Sequence, residues 1–175
     1  MHIDPRVGLD EMSCDQSLPF IEFLRERLQK IKVPIKRKIM EIEKEIRWRQ
    51  RFQNFSRAIV LLMEIEENTL DTLKPIEQEG FIQRFEYTLE LAWKTVKDYL
   101  TEQGHVITEA SPKPIIKKAF EVGVITDGQV FIDMIEARNL LAHTYDFDRF
   151  SAILVKVQKE FLPALKTLYA FLAEK

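Results

Sequence analysis

Hydrophobic side chains recur every three or four positions along most of the chain, a spacing that predicts amphipathic helices. One long stripe predicts a helix reaching residues 66–69; its members are Ile35, Ile39, Ile42, Ile46, Phe52, Phe55, Ile59 and Leu62. Ahead of it, residues 18–32 have a helical period of their own. We expect that shorter helix to stop before Pro34, because the residue preceding a proline avoids the α region. Residues 1–18 show no period and predict a flexible lead-in.

A second stripe lies between Gly80 and Gly104, and it consists of Phe81, Phe85, Leu89, Ala92, Val96 and Tyr99. Gly104 stands where a glycine commonly ends a helix. We interpret Phe85 and Trp93 as core side chains rather than cofactor contacts.

A short helix is predicted next, because Ser111 and Pro112 form an N-cap followed by a first-turn proline, and Gly123 would close it. The triplet at 126–128, Thr-Asp-Gly, predicts a turn.

Two further helices complete the pattern. One begins near Gln129, with apolar positions at Val130, Met134, Ile135, Leu141 and Ala142. The last covers Phe150 to Glu174, with Asp146 and Asp148 as candidate N-caps, and Pro163 should kink or split it. Together these elements predict an all-α fold: an up-and-down four-helix bundle at residues 46–175, preceded by an N-terminal extension at 1–45 made of the lead-in and a helix.

Composition narrows the class of protein. The 175 residues are 46% hydrophobic and 31% charged, which suits a compact domain with a core. The net charge of -2 carries no global signature of a nucleic-acid binder. The basic interval Arg25–Arg51 is therefore either a solvated helix face or a local patch that tracks RNA.

The cellular setting also follows from the sequence. The single cysteine, Cys14, cannot form an internal disulfide and fits a reducing cytoplasm. No apolar run approaches the roughly 20 residues of a membrane span, and the N-terminus lacks the order of a signal peptide. We expect a cytoplasmic protein without membrane contact.

Chemistry-bearing residues concentrate in the segment 138–146, RNLLAHTYD. On an unbroken helix Arg138 and His143 would lie about 140° apart, so the two could not easily hold one small group. They could converge if the helix frays near His143 or if two copies meet at a two-fold axis. This geometry favours a dimeric site.

These residue types suit metal-free attack within RNA. A histidine can take a proton from a ribose 2′-OH or return one to the leaving oxygen, while Arg138 holds the phosphate. Asn139 could orient His143 or bind the phosphate, and Tyr145 offers a stacking surface or a hydroxyl that can be modified. A purely structural interpretation stays open: His143 could be a partly buried surface histidine, and Arg138 could pair with Glu136 or Asp133.

Other chemistries lack a signature. The chain has three histidines and no H-E-x-x-H, so a zinc site lacks ligands. It has no P-loop, no G-x-G-x-x-G and no G-x-S-x-G. We expect a site that uses neither a metal nor another cofactor.

The motif RNLLAHTYD resembles the R-x4-H-x-Y motif of the HEPN superfamily (higher eukaryote and prokaryote nucleotide-binding). The segments RFEYTLELAWKTVKDYLTEQG and DMIEARNLLAHTYD are similar to its nucleotidyltransferase substrate-binding branch, and blocks resembling that branch extend from about residue 46 to the C-terminus. The resemblance implies a small helical bundle that forms homodimers or higher oligomers and pairs with a separately encoded minimal nucleotidyltransferase. The chain has no nucleotidyltransferase signature of its own.

The resemblance also implies residue roles. Some members are metal-independent ribonuclease toxins of toxin-antitoxin modules, silenced when the nucleotidyltransferase adds nucleotides to the motif tyrosine. Arg138 and His143 would be catalytic, Asn139 would support them, and Tyr145 would be modified. The alternatives are a non-catalytic subunit that binds a nucleotide or substrate, and a purely structural scaffold. Because residues 1–45 exceed the family pattern, we expect the isoleucine stripe, Ile35, Ile39, Ile42 and Ile46, to lengthen the first helix and to pack against a partner chain.

Overall fold

The computed structural model describes residues 17–64, 70–141 and 147–175, and these residues form helices and connecting turns without a strand. The chain divides into two compact units, Met1–Ile42 and Glu43–Lys175. The second unit is a helical bundle, which confirms the predicted all-α fold. Within the described ranges, no helix combines the length and the apolar character that crossing a membrane requires.

Helix α1, Ser17–Met63, is one continuous helix with Pro34 inside it, so the predicted stop before Pro34 is wrong. Proline removes one helical hydrogen bond and crowds the carbonyl four residues earlier, which costs about 3 kcal/mol. Good helix formers surround Pro34, including Lys36, Arg37 and Lys38, and the helix continues through it. The predicted end of α1 near residues 66–69 falls outside the described residues.

Helices α2, Pro75–Glu102, and α3, Pro112–Glu121, follow. Helix α2 begins before Gly80, where the predicted stripe starts, because Pro75 occupies the first turn and the Glu77 carboxylate accepts a 2.7 Å hydrogen bond from the Lys74 N–H. Helix α3 has Ser111 at its N-cap and Pro112 at its first position, as predicted.

Both helices end at a glycine in the left-handed region, as the sequence predicts. Gly104 has φ +86° and Gly123 has φ +76°. After Gly104, the His105 N–H donates to the Leu100 carbonyl at 2.9 Å. After Gly123, the N–H of residue 124 donates to the carbonyl of residue 119, also at 2.9 Å. This pairing satisfies carbonyls that a helix end otherwise leaves free.

Replacing Gly123 by alanine is expected to lower the free energy of unfolding by about 1–2 kcal/mol, because the left-handed conformation is unfavourable for an L-residue. Gly80→Ala is the matched control: Gly80 lies inside α2, and a Cβ there should stabilise by about 0.5–1 kcal/mol. Apart from the adjoining backbone, no atom lies within 4 Å of a methyl group added at either position, so steric clashes do not affect the comparison. Urea denaturation of both variants measures the difference, and effects of the same sign would contradict it.

Helix α4, Gly128–Leu141, starts within one residue of the predicted position. It is capped by Asp127, whose Oδ1 accepts a 3.1 Å hydrogen bond from the Val130 N–H. Its buried side chains are Phe131, Met134, Ile135 and Ala137.

The last helical run consists of α5, Phe147–Lys156, a π-helical segment, Val157–Phe161, and α6, Leu162–Ala173. The sequence predicts a kink or a split at Pro163. The run is not split there, since α6 follows the π-helical segment directly and Pro163 lies in its first turn. The π-helical segment interrupts the regular α pattern just before the proline, which lacks the N–H that would continue that pattern. The run begins before Phe150. Asp148 lies in the first turn of α5, so its predicted N-cap role is wrong, and Asp146 lies outside the described residues.

Aromatic contacts join α1, α2 and α6 within the second unit. The Trp48 and Tyr99 ring centroids are 5.3 Å apart, and Phe52 stacks on Tyr169 at 5.6 Å. Close by, the Arg51 Nε donates to the Asp98 Oδ2 at 2.6 Å. Arg51 therefore holds α1 to α2, so this member of the basic interval has a structural contact.

Candidate functional site

The structure describes two of the four residues predicted for the site. Arg138 and Asn139 lie near the C-terminal end of α4, and both side chains are exposed. His143 and Tyr145 belong to residues 142–146, outside the described ranges. The 140° separation expected between Arg138 and His143 on an unbroken helix therefore stays a prediction.

Arg138 and Asn139 line a groove of about 270 Å³ between α2 and α4, with Pro112 of α3 also in its lining. Helix α2 supplies one face at helical spacing: Glu86, Leu89, Glu90 and Trp93. Helix α4 supplies Ile135, Arg138 and Asn139, at positions i, i+3 and i+4.

The lining of the groove combines apolar and polar groups. Leu89 and Ile135 are buried and contribute to the core. Glu86 and Glu90 add carboxylates on α2, whereas Arg138 and Asn139 add a guanidinium and an amide on α4. A bound molecule would therefore meet apolar surface and both signs of charge.

Glu90 connects several of these groups. Its Oε2 accepts a hydrogen bond from Trp93 Nε1 at 3.1 Å, and its Oε1 lies 2.5 Å from Lys94 Nζ. Burial alone would raise the pKa of the Glu90 carboxyl. The hydrogen bonds from Lys94 and Trp93 and the charges of Lys94 and Arg138 outweigh burial and hold that pKa below its ordinary value. Glu90 is thus ionised at neutral pH and acts electrostatically on Arg138.

The ion pairs that would have made Arg138 purely structural do not form among the described residues. Glu136 pairs with Lys113 at 2.9 Å. Asp133 accepts hydrogen bonds from Gln129 at 2.7 Å and from Lys156 at 3.2 Å. Both acids named as alternative partners are thus engaged with other side chains. Arg138 is also well placed on α4, because a cation near a helix C-terminus interacts favourably with the helix dipole.

An exposed guanidinium beside an exposed amide can bind a phosphate, since arginine offers paired donors in a fixed geometry. The carboxylates on α2 disfavour an anion next to them. The α4 side of the groove is therefore the better place for a phosphate. In the described part of the chain, no three His, Cys, Asp or Glu side chains gather as a metal site would need.

Sequence reasoning missed the side chains on α2 that line the groove together with Arg138 and Asn139. Trp93 was predicted to be core; it is half-buried, packs against the core and also lines the groove. Phe85 is fully buried, which confirms its predicted core role. The spacing of Glu86, Glu90 and Trp93 places them on one face of a helix, but nothing in that spacing indicates which neighbouring helix the face meets.

The sequence matches a known protein family and a related protein. The family described as "Nucleotidyltransferase substrate binding protein like" matches residues 50–174. The chain is similar to the probable ribonuclease HepT of Haemophilus influenzae, with 27% identity over 99 residues, covering 53% of this chain and 68% of that protein.

Two solved structures have similar folds. One, from Thermus thermophilus, has a TM-score of 0.59 and 32% identity and covers 66% of this chain and 96% of that one. The other, from Haemophilus influenzae, is described as revealing the fold of a substrate binding domain of a nucleotidyltransferase. Its TM-score is 0.53 with 27% identity, covering 72% of this chain and 96% of that one. The family match includes the groove and the motif, and it begins after the isoleucine stripe.

Proposed function

Because the chain belongs to the nucleotidyltransferase substrate binding protein like family, we propose that it is the partner subunit of a separately encoded minimal nucleotidyltransferase and a metal-independent endoribonuclease. Its similarity to a probable ribonuclease HepT and to a substrate binding domain of a nucleotidyltransferase supports both parts of the proposal. The module would be a toxin-antitoxin pair in which this chain is the toxin.

The proposed reaction removes one proton from the attacking hydroxyl and adds one proton to the leaving oxygen. His143 takes the proton from a ribose 2′-OH, whose oxygen forms a bond to the adjacent phosphorus as the bond to the 5′-oxygen breaks. The leaving 5′-oxygen takes a proton from a protonated His143, and a 2′,3′-cyclic phosphate remains. Arg138 stabilises the charge that builds on the phosphate, and Asn139 orients His143 or binds a phosphate oxygen. Two copies of the chain would bring these groups together.

The observation that carries the proposal is the exposure of Arg138 and Asn139 at the end of α4, with His143 following Leu141 by two residues. The acids nearest in sequence, Asp133 and Glu136, are engaged with Lys156 and Lys113. The end of α4 therefore presents a cation and an amide toward solvent, as binding of an external phosphate requires.

Regulation by the partner would use Tyr145. Its hydroxyl oxygen attacks the α-phosphorus of a nucleoside triphosphate in the partner's active site, pyrophosphate leaves, and the hydroxyl proton is lost. The attached nucleotide adds negative charge and bulk next to Arg138 and His143 in the sequence. It would thereby block the RNA phosphate from the same groups.

The groove favours a second function, in which the chain is a non-catalytic subunit that binds a nucleotide or substrate for a two-component nucleotidyltransferase. Trp93 supplies an aromatic surface in the lining, and Arg138 and Asn139 can hold phosphate without cleaving anything. This function needs no proton transfer by His143.

Cleavage and modification can be tested together. We expect purified protein to cut RNA in EDTA, and protein co-expressed with its nucleotidyltransferase to gain nucleotide mass and lose that cleavage. Tyr145→Phe should abolish the added mass, whereas Tyr87→Phe, at an exposed tyrosine on α2, should keep it. Intact-protein mass spectrometry reads both. Absence of cleavage and of added mass, alongside nucleotide binding that needs Arg138, would favour the binding subunit.

A further inference from the structure

The isoleucine stripe, Ile35, Ile39, Ile42 and Ile46, runs along α1 outside the family match and plays no part in the proposed function. Its four side chains are between 47% and 53% exposed. A row of half-exposed isoleucines is costly in water, and such rows commonly mark an interface. The stripe therefore needs an explanation of its own.

The spacing indicates a helical partner. The steps between the four isoleucines are four, three and four residues, as at the a and d positions of a heptad repeat. Ile39 and Ile46 take a positions, and Ile35 and Ile42 take d positions. A single helix in water is marginally stable, and most helices in proteins are stabilised by packing of an apolar face. A second helix along the stripe would supply that packing.

The charges beside the stripe indicate what that second helix is. The segment Lys36–Lys38 is entirely cationic, and three of the five residues at 41–45 are glutamates. Lys36, Lys38, Glu41 and Glu43 are exposed beside the stripe. One end of the stripe is thus positive and the other negative. A second copy running in the opposite direction would place each cationic end beside an acidic end, twice over.

We propose that this stripe docks against the same stripe of a second copy of the chain, with the two helices antiparallel. Centred between Ile39 and Ile42, the pairing sets Ile39 against Ile42 of the second copy and Ile35 against Ile46. The e positions then pair Lys36 with Glu43 in both directions. The interface uses no residue of the proposed nuclease site.

The apolar part is tested by light scattering during gel filtration over a range of protein concentrations, using the full-length chain. Ile39→Asn together with Ile42→Asn should weaken self-association by about tenfold or more and lower the mass of the assembly. Met40→Asn is the matched control, because Met40 is half-exposed in the same segment but occupies a b position off the seam. Circular dichroism checks that all variants stay helical.

The orientation is tested by exchanging charges. Lys36→Glu should weaken association, and the double variant Lys36→Glu with Glu43→Lys should restore it, since the pair is reversed but kept. Arg37→Glu makes a similar change in charge at an f position and should have little effect. A parallel pairing would set Glu43 beside Lys38 instead, so the double variant would not be restored.

Two results would overturn the proposal. An assembly mass that the Ile39→Asn, Ile42→Asn variant shares with the wild type would show that the stripe is not the contact between copies. Weakening by that variant without restoration by the charge exchange would overturn the antiparallel pairing. Neither result would bear on RNA cleavage, so the proposed function stands or fails separately.

Discussion

Replacing His143 by alanine is expected to slow RNA cleavage in EDTA by about a hundredfold to ten-thousandfold, the usual contribution of a positioned acid-base residue. Alanine can neither accept the proton of the 2′-OH nor return one to the leaving oxygen. Binding of RNA should change much less, because Arg138 still holds the phosphate. Single-turnover cleavage rates together with RNA affinities separate these two effects.

The matched control is His105→Ala, which removes the same side chain from the turn after α2, outside the motif segment, and should leave cleavage unchanged. Loss in one variant alone also excludes a contaminating nuclease as the source of activity. His143→Gln separates the two functions considered above: glutamine can still hydrogen-bond a phosphate but cannot exchange protons near neutral pH. Equal cleavage by wild type, His143→Ala and His143→Gln would remove the basis for the nuclease.

Local rules explain which parts of the fold were predictable. The ends of α2 and α3 could be placed because a positive φ is the property of a single residue, and Gly104 and Gly123 satisfy it wherever the helices pack. The interruption before Pro163 follows from one missing N–H in the same way. Such features depend on a few neighbouring residues and can be read directly from the sequence.

Pro34 shows where a local rule fails. The preference against helix before a proline is a matter of a few kcal/mol, and it competes with the helix-forming residues on both sides. In α1 the helix-forming preference of the neighbouring residues prevails, since the helix continues through Pro34 to Met63. A different rule applies at Pro112 and was right there: a proline in the first turn of a helix removes no helical hydrogen bond.

The residue types of the motif made part of the candidate site predictable, but the side chains that surround it could not be predicted from the sequence. Arg138 and Asn139 were identified from the motif, and the structure places both at the groove. Glu90 could not be assigned to the site, because its role depends on how α2 packs against α4. The predicted catalytic and modified residues beyond Leu141 stay predictions.

The second large effect concerns the core that supports the groove. Phe85→Ala is expected to lower the free energy of unfolding by about 3–5 kcal/mol, because a fully buried ring is lost and the cavity refills only in part. Phe85 stacks on Phe161, with centroids 5.4 Å apart and an interplanar angle of 21°. Phe161 ends the π-helical segment, so this contact ties α2 to the irregular part of the last helical run.

Phe120→Ala is the matched control, since Phe120 on α3 is 53% exposed and its loss should cost no more than about 1 kcal/mol. Urea denaturation of the full-length variants, followed by circular dichroism, measures both. Similar costs for the two variants would contradict the packing described for Phe85.

A loss of about 3–5 kcal/mol is a large share of the roughly 5–15 kcal/mol that stabilises a typical domain. Phe85 itself does not line the groove, so the same substitution should weaken phosphate binding at Arg138 only as far as it unfolds the bundle.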